Sequence, residues 1–298
     1  IPAPDIYPHT SGEDPYAIYQ SLNAGRLASM PRPFHSVVDF VQQAHGNRYW
    51  KRTLTPEELD LRVLYSVAAG AKGLIWYSFD GTMPRTEEVE QRMAVMNGRL
   101  EFAGPVLEMG HPVPDEWAIA NHDRLMGRTL QSGPDTIVLT LINTNYQATA
   151  EGYSYEAVPD ARVRVTVPNS MNINRCFAAF PDESVDIPFR MDGDDLVIEF
   201  GDVETGEFII CTGNAGLEES LRARFNDLVS HRQAVRERRQ ARFARKLAAV
   251  ADVRYRVDVS NTTDANIVPD SALWNPLEIE NNAVEWVAQE RGQKKGAT

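Results

Sequence analysis

Apolar positions in the first hundred residues follow two rhythms, short β-rich runs alternating with stretches at helical spacing. Asp5-Ile6-Tyr7 reads as the end of a strand. Asp14 is placed to cap a helix that carries Pro15 at its first position and runs to about Ala28, with Ile18 and Leu22 on one face. Phe34 to Val41 (FHSVVDFV) is β-rich, and Gln42 to Leu54 is a polar loop. Thr55-Pro56-Glu57-Glu58 combines a capping box with proline at the first helical position. Leu59, Val63 and Val67 then form one buried stripe, which Gly70 is placed to end. Gly73 to Phe79 (GLIWYSF) is almost continuously apolar, the pattern of a strand buried on both faces as in a parallel sheet. Thr86 caps a further helix with Val89, Met93, Met96 and Leu100 on its apolar face.

These are strand–helix units of roughly 33 residues, close to the spacing of a (β/α)8 barrel and of a doubly wound sheet. Three units cannot close a barrel. A barrel reading therefore expects some five further units, on the order of 150 residues, upstream. From residue 109 the helical period stops. Thr136–Ile142, Ala161–Val167, Leu196–Phe200 and Phe208–Cys211 read as strands. Turn signals separate them at Ser132–Asp135, Val158-Pro159-Asp160 and Met191–Asp194. Arg162 to Val167 alternates strictly, so one face is wet. The expected fold class is α/β plus all-β: three βα units of a TIM (β/α)8 barrel over 1–108, an antiparallel β-sandwich over 109–214, and a helical, polar extension over 215–298.

Charge changes the picture in one place. The chain has 30 Lys+Arg against 42 Asp+Glu, a net −12, which makes it a poor general binder of nucleic acid or anionic membrane. Residues 216–251 carry nine Lys/Arg and four acids, a local +5 that leaves −17 elsewhere. That helix reads either as a contact for an anionic surface or as a solvated amphipathic helix balancing the acidic remainder. In the second reading Leu221, Phe225, Leu228, Phe243, Leu247 and Val250 face the body. No apolar run approaches the ~18 residues of a membrane span. Ile1-Pro2-Ala3-Pro4 has no signal-peptide character, and both ends read as cut from a longer polypeptide. Cys176 and Cys211 both fall in predicted strands, and they read as two small buried side chains or as one bridge. The six histidines are scattered and no HExxH is present, so no metal is expected; no GxGxxG, Walker or GxSxG motif points to a cofactor or an esterase elbow.

Thr55 to Gly81 (TPEELDLRVLYSVAAGAKGLIWYSFDG) joins a capped helix, a tight turn and an aromatic strand without slack. It resembles the last helix–strand pair of a carbohydrate-active (β/α)8 barrel, of the broad glycoside-hydrolase type that includes family 42 β-galactosidases. Asp5–Pro8 resembles the end of a sixth barrel strand, Arg32–Gln43 the seventh and Gly73–Asp80 the eighth. The resemblance implies a sugar site at the C-terminal strand ends. It places there Tyr7, Gln42, Gln43, His45, Trp76 and Tyr77 as substrate-binding residues, and Asp5, Asp39 and Asp80 as candidate catalytic carboxylates. Trp76 and Asp80 share one side of their strand and are expected to face the pocket, with core packing the alternative for Trp76 and Tyr77. The resemblance puts the acid/base glutamate after a fourth strand that this chain does not contain. It puts the nucleophile at the seventh strand end, where this chain has Gln42-Gln43, and an amide cannot serve. The expectation is the C-terminal portion of a carbohydrate-active protein, with a carbohydrate partner and, by resemblance, a secreted or envelope location. The chain alone is expected to be inactive. The alternative is a non-catalytic glycan-binding or scaffold protein with a degenerate barrel.

Overall fold

Thr55 and Glu58 close the capping box that their spacing predicts. Thr55 Oγ1 accepts from the Glu58 N–H at 3.3 Å and Glu58 Oε2 accepts from the Thr55 N–H at 2.9 Å. The computed structural model in which these bonds appear describes residues 14–39, 54–77, 86–148, 153–168 and 170–251. The sequence-predicted elements at 5–7, 255–259 and 278–289 lie outside them.

Helix α1 (Tyr16–Ser29) leads into strand β1 (Ser36–Asp39). Helix α2 (Pro56–Ala68) follows, then strand β2 (Leu74–Tyr77) and helix α3 (Glu87–Met109). Strands β1 and β2 pair in parallel, Ser36 opposite Leu74 and Asp39 opposite Tyr77, with α2 as the crossover. This is a βαβ unit. Gly70 ends α2 at φ +80°, where a Cβ would sit 2.6 Å from the Pro112 ring. Lys72, in the turn after α2, donates to the Leu107 carbonyl at 2.8 Å and also to Gly110, so a cation closes the negative end of α3.

Two expectations for this region are corrected. Helix α2 does not bury one stripe; every residue from Glu58 to Ala68 is buried. It is wedged among α1, α3 and the sheet behind it, so its polar groups must be answered inside the protein. Arg92 grips Asp60 with bonds of 2.7 and 2.9 Å from Nε, and Ser66 Oγ lies 2.8 Å from Ser36 Oγ. Burial still holds the Asp60 carboxyl above its ordinary pKa despite Arg92. Conversely, β2 is not buried on both faces. Ile75 is 45% exposed, because among the described residues this sheet has only two strands.

After β3 (His111–Pro112) and a short 3-10 turn at Asp115–Trp117, the chain builds antiparallel sheet. The strands are β4 (Ala118–Ala120), β5 (Leu125–Gln131), β6 (Thr136–Asn143), β7 (Tyr146–Ala148), β8 (Tyr153–Tyr155) and β9 (Val158–Thr166). They continue with β10 (Arg175–Ala178), β11 (Val185–Asp186), β12 (Phe189–Asp192), β13 (Asp195–Val203) and β14 (Gly206–Thr212). A six-stranded sheet, β11-β10-β14-β6-β5-β3, faces a four-stranded one, β12-β13-β9-β4, and β7–β8 form a small separate ribbon.

Strand β6, at the centre of the larger sheet, is buried on both faces along its whole length. Ile137, Leu139 and Leu141 join the core between the sheets with Val163, Val165, Leu196 and Ile198. Val138 and Ile142 point the other way, into a core shared with Leu22, Leu64 and Phe102. The result is helices on one face of the six-stranded sheet and a second sheet on the other. Residues on either side of position 108 therefore share one core. The chain divides into two compact units at a later point, 1–235 and 236–298.

Strand β9 alternates as its sequence requires. Val158-Pro159-Asp160, expected as a turn, lies inside this strand instead. Its turn chemistry is used by an irregularity: Asp160 has φ +48°, Gly201, the partner of the adjacent Ala161, has φ +71°, and the β9–β13 register shifts there. Helix α4 (Leu217–Ala251) matches the Arg-rich segment. In the first unit Leu221 is buried and Phe225 packs edge-on against Phe102 at 6.4 Å. Arg222 bonds the Glu183 carbonyl and Glu218, and Arg232 pairs with Glu101 at 2.5 Å, so these cations answer acids and carbonyls of the body.

Candidate functional site

A cleft of about 790 Å3 opens where the head of α1 meets strands β4 and β5. Asp14, Tyr16, Tyr65 and Tyr146 line it together with Asn121, His122 and Arg128. Its order begins with the α1 cap. Asp14 Oδ1 accepts from the Tyr16 N–H at 2.8 Å, as the sequence suggests, and the same oxygen accepts from the Tyr146 hydroxyl at 2.7 Å. Tyr146 and Tyr65 bring their hydroxyls to 3.1 Å. One carboxylate thus positions a cap, a strand and a buried helix together.

The aromatic faces are equally ordered. Tyr16 stacks on Tyr19 at 5.7 Å and meets Tyr65 edge-on at 6.1 Å. Tyr146 stacks on Tyr153 at 5.6 Å, with Tyr155 tilted against it at 5.9 Å. Behind Tyr16, Arg128 Nε donates to the Tyr19 hydroxyl at 2.8 Å, and its guanidinium pairs with Asp115 at 3.1 Å. Burial raises the pKa of Tyr19, Tyr65, Tyr146 and Tyr155; for Tyr146, Tyr65 and Asp14 add to the effect. The phenols are therefore neutral at physiological pH. They can stack and hydrogen-bond, and they are poor bases or nucleophiles.

Of the residues the sequence singles out, Asp5, Tyr7, Gln42, Gln43, His45 and Asp80 lie outside the described residues. Asp39 and Tyr77 end their strands as register partners, which brings these two candidates side by side along the backbone. Trp76 is half-buried against the Leu54–Leu59 cluster, and its indole N–H donates to Asn97 Oδ1 at 3.1 Å. It is not among the residues lining the cleft. Among the described residues no group of three or more His, Cys, Asp or Glu side chains could hold a metal ion, and no helix is long and apolar enough to cross a membrane.

Sequence reasoning missed the cleft. Asp14 reads there only as a cap, and Tyr16, Tyr65 and Tyr146 attract no attention, because Tyr65 and Tyr146 lie far along the chain from Asp14 and Tyr16. The available signal was the tyrosine density of Tyr146, Tyr153 and Tyr155 beside a turn-rich stretch.

No family model and no curated protein matches the chain. Solved structures match it in part. An α-fucosidase from Thermotoga maritima in complex with a mechanism-based inhibitor is 14% identical, with a TM-score of 0.37 over 61% of this chain and 40% of that one. An α-L-fucosidase from Bacteroides thetaiotaomicron is 15% identical, with a TM-score of 0.36 over 63% and 39%. A cycloisomaltooligosaccharide glucanotransferase from Paenibacillus sp. is 12% identical, with a TM-score of 0.36 over 52% and 27%. The chain spans less than half the length of each.

Proposed function

We propose that this chain is the C-terminal portion of a carbohydrate-active protein, and that the tyrosine-lined cleft contacts a neutral oligosaccharide. The cleft carries the reading. Tyr16 offers a partly exposed aromatic face to the C–H face of a pyranose, and Asp14, Asn121, His122 and Arg128 offer hydrogen-bonding groups around it. A few directional polar groups beside an aromatic surface suit a ligand rich in hydroxyls. The parallel β1–α2–β2 unit has the topology that two neighbouring strands of a (β/α)8 barrel would have, which is the finer reading drawn from the sequence. In that reading the parent is a glycoside hydrolase and this chain alone lacks the means of turnover.

The test is an NMR titration of the chain with neutral oligosaccharides, repeated on Tyr16→Ala. Binding that weakens by at least about tenfold in the variant supports the cleft, a loss of about 1.4 kcal/mol. No perturbation by any oligosaccharide removes it. Clear glycosidase turnover by this chain alone overturns the claim that further barrel units are needed.

Gln42-Gln43 favours a second reading, a glycan-binding or scaffold protein whose barrel has lost its nucleophile. The coding sequence upstream of Ile1 separates the two. Strand–helix units with a glutamate at a fourth strand end favour the enzyme, and units lacking that carboxylate favour the binding protein.

A further inference from the structure

Cys176 on β10 and Cys211 on β14 are direct register partners in an antiparallel pair. Residues in that relation point to the same face with their Cβ atoms about 4.5–5.5 Å apart. Both side chains enter the core between the two sheets, 1% and 0% exposed, and both are free thiols. The Cα spacing of such partners, about 4.5–5.5 Å, lies within the range that a disulfide spans, and closing the bond draws their Cβ atoms in to about 3.5–4.5 Å.

We propose that Cys176 and Cys211 are a disulfide-forming pair, closed when the chain folds in the presence of a disulfide oxidant and locked as thiols when it folds without one. In the closing reaction one cysteine thiolate attacks the oxidant's S–S bond, forming a mixed disulfide and releasing one thiol. The second cysteine thiolate then attacks the protein sulfur of that mixed disulfide, forming Cys176–Cys211 and releasing the second thiol. Two S–H bonds of the protein become one S–S bond. Two electrons and two protons pass to the oxidant, whose single S–S bond becomes two thiols.

The fold makes this reaction depend on timing. In the folded reduced chain both sulfurs sit between two sheets, out of reach of an oxidant, and burial pushes the Cys211 pKa well above the ordinary thiol value. The Cys211 thiolate is therefore scarce, and both sulfurs are shielded. While β10 and β14 are still pairing, both restrictions are absent. An oxidising compartment at the time of folding would leave a cross-link between two strands of the six-stranded sheet, and a reducing one would leave two inert thiols.

The experiment refolds the chain from urea with either glutathione disulfide or dithiothreitol, then counts thiols by maleimide labelling under denaturing conditions and mass spectrometry. Refolding with glutathione disulfide is expected to leave no free thiol and to yield a linked 176–211 peptide pair in the monomer. Refolding with dithiothreitol is expected to leave two. The reduced folded chain, given the same oxidant without urea, should lose its thiols at least about tenfold more slowly than in urea. Two remaining thiols, glutathione adducts or covalent dimers after oxidative refolding overturn the pairing. Equal rates with and without urea overturn the lock.

Discussion

Tyr146 and Asp14 are separated by most of the helical layer in sequence and meet through a 2.7 Å hydrogen bond from phenol to carboxylate. Since Asp14 also accepts from the Tyr16 backbone, this bond ties the start of α1 to the β7–β8 ribbon and sets one wall of the cleft. Replacing Tyr146 by Phe keeps the ring stack on Tyr153 but removes the partner of the fully buried Tyr65 hydroxyl. A buried hydroxyl without a partner costs about 1–3 kcal/mol. Urea unfolding of Tyr146→Phe should show a loss in that range. The double variant Tyr65→Phe/Tyr146→Phe should recover part of it, since the orphaned group is gone. A single variant as stable as the parent would mean that the hydroxyl pair contributes nothing.

The buried phenols give stability a direction in alkali. Tyr19, Tyr65, Tyr146 and Tyr155 all have folded-state pKa values raised above the ordinary 10.0, chiefly by burial. Above that pH the unfolded chain releases phenolic protons that the folded chain retains. The folded state then holds more protons, so stability is intact below about pH 10 and falls as pH rises beyond it. The slope is at most about 1.4 kcal/mol per pH unit for each tyrosine. Urea midpoints at about pH 8 and about pH 11 should differ accordingly, and ultraviolet titration should show tyrosines that ionise only on unfolding. A single free titration of every tyrosine in a chain that stays folded would contradict this.

Thr55→Ala tests a feature that is fully local. It removes the hydroxyl that accepts from Glu58 and leaves the rest of α2 unchanged. The expected loss is about 1 kcal/mol in urea unfolding, with Thr55→Ser restoring most of it. A loss well above that would show that the buried first turn depends on more than its cap.

What could be read from the sequence follows the same division between local and distant. The Thr55 box, the Thr86 cap, the alternation of Arg162 to Val167 and the long Arg-rich helix are written in residues within one or two turns of each other, and all appear in the structure. The short strands β3, β4 and β11 were illegible, since two or three residues carry no period and their pairing is set by neighbours far along the chain. The full burial of α2 was illegible for a related reason. Glu58, Asp60 and Arg62 look like a wet face until α3 and the six-stranded sheet cover them, and a sequence pattern does not show what lies on top. Asp14, Tyr65 and Tyr146 likewise acquire a common role only through the packing of three separate elements.

Arg99 links the helical layer to the sheet. It sits on α3 at 6% exposure, pairs with Glu207 on β14 and donates from Nε to the Ala179 carbonyl at 3.3 Å. Its guanidinium carbon lies 4.4 and 4.6 Å from the ring centres of Phe180 and Phe208. Burial pulls its pKa down to about 10, so the cation is still retained at neutral pH. Arg99→Met preserves much of the side-chain volume but strips Glu207 of its partner at a largely covered site and leaves the Ala179 carbonyl one donor short. Breaking a buried pair from one side costs about 3–5 kcal/mol, and the partial exposure of Glu207 places the expected loss at the lower end. Arg99→Met/Glu207→Gln should cost less than the sum of its single variants, because the uncompensated carboxylate is absent. The measurement is a double-mutant cycle by urea unfolding at neutral pH. Strict additivity, or a single-variant loss below about 1 kcal/mol, would assign the joining of the two layers to apolar packing alone.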